Sequence, residues 1–283
     1  MRHFNAHAIF ATVVLCMPVF AGCTSQSEPP AKEPDAHGEH ASHGSKMAAG
    51  PTAQLILSSM PERPRAGEPV ELRIMLHDAS NQMLKEFEPT HTKLAHLIIV
   101  REGLNEFAHL HPEVEKTGTM TATHTFPSGG DYLVFLDYKP VGQPAATAEG
   151  KLAVQGDSPD AQVLKPNVPG TITGDGFQAE VSMRASAGKA HVVSFKVQEE
   201  NGKAVTDLQT YVGAMGHLVV LSADGSQYVH AHPLTETASD GNVDFEVHFP
   251  GPGTYKGWGQ FQRDGKVFTI PAVMQVQGGA AHH

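Results

Sequence analysis

The stretch "FAHLHPEVE" at 107–115 returns as "YVHAHPLTE" at 228–236, and both read aromatic-x-His-x-His-Pro-x-x-Glu. The echo reaches well beyond the motif. Gly67 and Gly188, His96 and His217, His109 and His230, His111 and His232, Glu115 and Glu236 all stand 121 residues apart. Two extra residues enter the second copy before "FPSGGDY" (126–132) meets "FPGPGTY" (249–255), and both copies end in "VQG". A period this long describes two complete domains rather than the short units of a solenoid. The Pro- and Gly-rich seam "GDSPDAQVLKPNVPG" (156–170) separates them. The expected layout is therefore repeat 1 at 51–156, a linker at 157–170, repeat 2 at 171–279 and a tail at 280–283.

Within each repeat the apolar residues alternate as in β-strands, for example "VELRIML" (70–76), "YLVFLDY" (132–138) and "VDFEVHF" (243–249). Gly, Pro, Asp and Asn punctuate these runs about every ten residues, and no stretch holds a helical period. About seven short strands in roughly 105 residues fit a β-sandwich. The fold class expected is all-β, with two tandem Ig-like β-sandwich domains.

The start of the chain sets an expected compartment. "AIFATVVLCMPVF" (8–20) is too short to span a membrane and precedes "FAGC", so residues 1–22 read as a secretory signal peptide. "FAGC" resembles the lipobox of bacterial lipoproteins, with Phe20 where Leu is usual. That resemblance implies cleavage before Cys23, lipid attachment to it, and a membrane anchor. Thr24 after the cysteine then favours the outer membrane, facing the periplasm. An ordinary cleaved signal is the alternative. Residues 23–50 form an expected flexible tether, where His37, His40 and His43 are auxiliary metal candidates or merely solubilising residues.

The only cysteines are Cys16 and Cys23, so the folded part has no thiolate to bind metal or attack a substrate. A blue-copper centre, which needs one, is excluded. The net charge of −10 carries no basic cluster and argues against nucleic acid as a partner. Of the 18 histidines, only His3 and His7 precede Cys23.

Those histidines have an expected geometry. Asp224-Gly225 in "SADGSQ" suits a two-residue type I′ hairpin turn, which puts His217 directly across from His232. Gly103-Leu104 in "VREGLNEF" suits type II′ and puts His96 across from His111. His109 and His230, two residues before, share the face of His111 and His232. Opposed Cα atoms stand about 4.5–5.5 Å apart, so three imidazoles per repeat can converge on one first-row metal ion. Met215 joins the second set and favours copper, where the first copy has Leu94; zinc suits three histidines as well. On this reading there are two sites, the second tighter for Cu(I), weakened below pH 6 by protonation. Glu115 and Glu236 are candidate supports for the ligands or turn residues. Structural histidines, hydrogen-bonded to one another, are the alternative. His77, His91, His124, His191 and His248 lack counterparts and read as strand or loop residues.

"HLIIV", "HLVVL", "FPSGGDYLV" and "FPGPGTYKGW" resemble the Ig-like domains of bacterial envelope copper proteins, the YtkA-like and CopC-like group. The resemblance implies a metal-handling accessory protein that works with an envelope partner and catalyses nothing. CopC-like domains usually ligate through an N-terminal histidine, which a lipidated Cys23 cannot supply. Gly103, His109, His111 and Glu115 also resemble the first metal motif of cupins, which would make the chain a two-domain metalloenzyme. Tyr132 and Tyr255 stand where a cupin needs its later histidine. A third reading is a structural or adhesive sandwich pair without metal.

Overall fold

"PVELRIMLH" and "AHLIIVR" are both strands, but they are buried differently. In β2 (Pro69–His77) the buried residues are Val70, Leu72, Ile74 and Leu76, with solvent on the other face. In β3 (Ala95–Arg101) every residue is buried. A strand with alternating polarity covers one core, whereas a continuous apolar run has protein on both faces. The computed structural model describes residues 53–185, 190–231, 233–234, 237–238 and 240–278.

The described residues form sixteen strands and no helix. In the first repeat, β1 (Gln54–Met60), β2, β6 (Met120–Thr125) and β5 (Glu113–Val114) make one antiparallel sheet in that order. Facing it is a sheet ordered β4 (Phe107–Leu110), β3, β7 (Gly130–Tyr138), β8 (Ala146–Val154). Leu72 and Ile74 from one sheet meet Leu97, Ile99 and Val134 from the other in a single core. The second repeat repeats this. One sheet orders β14 (Asn242–His248), β11 (Ala190–Glu199), β10 (Phe177–Ala185) and β9 (Gly170–Gly174). The other orders β13 (Tyr228–Ala231), β12 (His217–Ser222), β15 (Gly253–Arg263) and β16 (Lys266–Val276). The all-β tandem sandwich expected from the alternation is what the chain adopts.

In both repeats a tyrosine closes the corner before a central strand. Tyr132 donates its hydroxyl to Ser128 O at 2.8 Å, and Tyr255 donates to Gly251 O at 2.9 Å. This is the tyrosine corner of Ig-like sandwiches. It gives the two tyrosines a structural task at the positions where a cupin would carry histidine.

The hairpins keep the expected register with different turns. Leu97 pairs with Leu110 and Leu218 with Ala231, as the turn argument requires. Each reversal is a four-residue loop, closed by Arg101 N–H to Glu106 O at 3.1 Å and by Ser222 N–H to Gln227 O at 2.9 Å. Leu104 is left-handed (φ 58°), which type II′ forbids, and Asp224 lacks the positive φ that type I′ demands. Adding one residue on each side of a two-residue loop leaves every later pair unchanged. The register therefore survives the wrong turn type.

The second face of β3 and β12 is where the repeats meet. Ile98, Val100, Leu104, Phe135, Val219, Leu221 and Trp258 form a third apolar cluster drawn from both repeats. Phe107 stacks on Trp258, and Tyr228 stacks on Phe135. Tyr228 is the repeat-2 counterpart of Phe107, and Trp258 that of Phe135. The contact is thus isologous, as in a two-fold dimer, but within one chain.

Arg101 ties the linker to the first repeat. Its guanidinium donates to Gly129 O, Asn105 Oδ1 and Pro159 O at 2.9, 3.1 and 2.8 Å, and also to Ser158 Oγ. Asn167 ties the other end to β16: its N–H donates to Val273 O at 2.9 Å and its Oδ1 accepts from Val273 N–H at 2.7 Å. Leu164, between them, packs on the shared cluster.

Candidate metal centre

The inward alternation of β3 and β12 continues to their first histidines. Ile98 and Val100 lie on the shared face, so His96 two residues earlier does too; His217 follows Val219 and Leu221 in the same way. Both are sealed from solvent, His96 at 1% exposure and His217 at 0%. Their ring centroids stand 6.1 Å apart. His109 lies 5.3 Å from His96 and 5.7 Å from His217, and His111 lies 5.1 Å from His96. The sequence expects one histidine set per repeat. The isologous contact also brings His217 of repeat 2 beside the set of repeat 1.

Two tight turns hold this arrangement. Thr90–Lys93 and Tyr211–Ala214 each close with a reciprocal pair of backbone hydrogen bonds. Their central residues are all left-handed: His91 (φ 49°), Thr92 (φ 67°), Val212 (φ 51°) and Gly213 (φ 77°). That is uncomfortable for β-branched Thr92 and Val212, and such local strain collects at functional sites. The turns aim Thr90 O at His96 Nε2 and Tyr211 O at His217 Nε2, both at 2.9 Å. A carbonyl only accepts, so each Nε2 carries the proton and each Nδ1 keeps its lone pair.

His96, His109 and His111 each offer one ring nitrogen, all three within 4.8 Å of one another. His96 Nδ1 and His109 Nε2 are 3.0 Å apart, and His109 Nδ1 lies 2.7 Å from Gln260 Oε1 of repeat 2. His111 Nε2 is buried with no hydrogen-bond partner among the described residues. Tetrahedral coordination at about 2.05 Å per bond needs nitrogens about 3.3 Å apart. One pair is already near that separation, and the third nitrogen must close by up to about 1.5 Å. The donor set fits a first-row metal ion, and the backbone bonds of His96 are the outer support such ligands normally have.

Burial favours the neutral form of His217, His111 and His96. It pushes His217 down to about 3, opposed by the hydrogen bond to Tyr211 O. It pushes His111 down to about 4, helped by repulsion from His96 and Lys93, and it lowers His96 as well. Asp137 is the register partner of His96, just as Gln260 is that of His217. Burial raises the Asp137 carboxyl, while hydrogen bonds from Thr147 and from Tyr228 of repeat 2 oppose this.

Other candidates fall differently. Met215 packs in the apolar core of the second sandwich, because β12 begins only at His217 and strand alternation does not extend back to it. Glu115 is exposed in the turn between β5 and β6, where it accepts from Thr117 Oγ1 at 3.1 Å. It is a turn residue rather than a support for the ligands. Cys23, His37, His40, His43, His232, Glu236 and the side chain of His230 lie outside the described residues. Sequence reasoning passed over His91, whose ring is 6.5 Å from His96 and 5.9 Å from His217. It has no counterpart in the other copy, so an argument from duplication could not find it. Asp137 and Gln260 had a signal, each a polar residue inside an apolar strand.

The class defined here is a tandem pair of antiparallel β-sandwiches joined face to face, with a histidine cluster at their seam. The chain belongs to the family described as Domain of unknown function (DUF8832), which matches it twice, at residues 52–156 and 171–278. No curated protein matches it. Similar solved structures include FdeC, an Escherichia coli adhesin, with 17% identity, 81% of this chain and 65% of that one covered, and a TM-score of 0.28. MtrC from Shewanella baltica OS185 has 6% identity, covers 80% and 69%, and scores 0.23. Invasin, a bacterial integrin-binding protein, has 13% identity, covers 80% and 39%, and scores 0.23. The chain thus spans less than two thirds of the adhesin and of invasin. Scores this low carry no argument about function.

Proposed function

We propose that this protein is a metal-binding lipoprotein of the bacterial envelope, taking copper in preference to zinc and catalysing no reaction. One observation carries the reading: three ring nitrogens converge within 4.8 Å of one another at the seam between the repeats. Neutral imidazoles with lone pairs are the commonest protein ligands for such ions, and burial favours that form at His96 and His111. Copper over zinc, and a role in metal handling with an envelope partner, rest on the resemblance to YtkA-like and CopC-like domains. The anchor at Cys23 and an outer-membrane location rest on "FAGC".

A structural or adhesive pair without metal is the second reading. It draws support from the hydrogen bond between His109 and Gln260, which joins the repeats directly. The deciding experiment is metal analysis and Cu(I) and Zn(II) titration of the untagged chain from Cys23, with Cys23→Ser to remove the lipid. Stoichiometric ion, lost in His109→Ala and His111→Ala, supports the first reading. A folded protein with no measurable affinity supports the second.

A further inference from the structure

The contact between His96 and His109 depends on which ring nitrogens carry the protons. His96 spends its proton on Thr90 O, leaving Nδ1 as a lone pair. His109 Nδ1 faces Gln260 Oε1 at 2.7 Å, so its proton sits there and Nε2 is also a lone pair. These two lone pairs meet at 3.0 Å. Neutral rings would avoid this by shifting His109 to its other tautomer, which would let Nε2–H donate to His96. Opposing that shift is an acceptor oxygen from the other repeat, 2.7 Å from His109 Nδ1 on a side chain only 6% exposed.

We propose that Gln260 is a positioning residue for the metal centre: its amide oxygen holds His109 in the Nδ1–H form, aiming the Nε2 lone pair at the ion. This rests on the metal-binding reading and deepens it, since it makes the second repeat a determinant of the affinity of ligands borne by the first. The repeats differ here in a telling way. The first carries Asp137 at the equivalent place, also an acceptor, so both inner strands present an oxygen to the histidine seam.

The test uses the full chain from Cys23 and two readouts. Imidazole nitrogen NMR of the metal-free protein reports the His109 tautomer, and chelator competition with Cu(I) and Zn(II) reports affinity. The variants are Gln260→Met, of similar shape but without an acceptor, and Gln260→Glu, which keeps one. The parent and Gln260→Glu should show Nδ1–H at His109. Gln260→Met should lose that signature and bind about 10- to 100-fold more weakly, the usual cost of removing a ligand's outer partner. Near-ultraviolet circular dichroism confirms that the variant folds; if it does not, the parent tautomer and the Gln260→Glu pair decide. Nε2–H at His109 in the parent overturns the proposal. So does unchanged affinity in a folded Gln260→Met, or lost affinity with an unchanged tautomer. A parent with the Nδ1–H form that binds neither ion leaves the positioning intact and sinks the metal reading instead.

Discussion

Phe107 of the first repeat lies flat against Trp258 of the second, ring centroids 4.8 Å apart and planes 10° from parallel. With the repeats exchanged, Tyr228 lies on Phe135 at 4.5 Å and the same 10°. The exchange also holds at the loop tips. Leu104 O accepts Lys256 Nζ at 2.7 Å, and the matching glycine, Gly225, sits so close to Leu133 that an added Cβ would come within 2.5 Å of it.

Trp258 is the sole tryptophan, so its emission reports whether the repeats are docked. Phe107→Ala removes its stacking partner and should cost about 3 kcal/mol. The expected result is a red-shifted emission maximum in native buffer and an earlier denaturation midpoint. Unchanged emission would mean that the stacked pair does not hold the seam.

The metal-free protein should lose stability as pH falls from about 6.5 toward 4. His217 and His111 have folded values near 3 and 4, below the unfolded value, so acid adds protons to the unfolded chain first. Above the unfolded value their contribution is complete; below it, sealed His217 should take away up to about 1.4 kcal/mol per pH unit. Half-buried His111 adds less. Protonation of His111 should weaken metal affinity only as pH falls toward about 4. Urea midpoints across this range check the first statement, and competition titrations the second. A flat stability profile would contradict the depressed values.

Tyr228→Phe removes the hydroxyl that Asp137 accepts at 2.7 Å across the seam. A buried carboxylate losing one partner should cost about 1–3 kcal/mol. In a double-mutant cycle, Asp137→Asn should recover part of that loss. Strictly additive effects would show that the bond contributes nothing.

Met215→Leu should change stability by less than about 1.5 kcal/mol and leave Cu(I) affinity as it was, because the thioether packs in the core. A tenfold drop in Cu(I) affinity would return Met215 to the ligands.

The pairing of β3 with β4 and of β12 with β13 was legible in the sequence because apolar runs and loop positions jointly fix a register. The turn types were not, since loops of two and four residues about one centre give the same ladder. The meeting of His96 with His217 was hidden for a different reason. Duplication shows that two domains share a design, not which faces they turn to each other. The clue was "HLIIV" beside "VELRIML": no alternation, hence protein on both sides. Read that way, the histidine that opens each run belongs to a seam and not to an open sheet. Met215 misled because the alternation was extended past the end of its strand.

Arg101 has a consequence for how the halves associate. By gripping Ser158 and Pro159 while Asn167 grips β16, the chain leaves only a short stretch of leash, and Leu164 docks even that. Each half then sees the other at an effective concentration on the order of millimolar or above, so the seam can be individually weak and still stay closed. A contact held in that way can open and reclose without the halves ever drifting apart. Among its neighbours it behaves as a permanent dimer that dilution cannot dissociate.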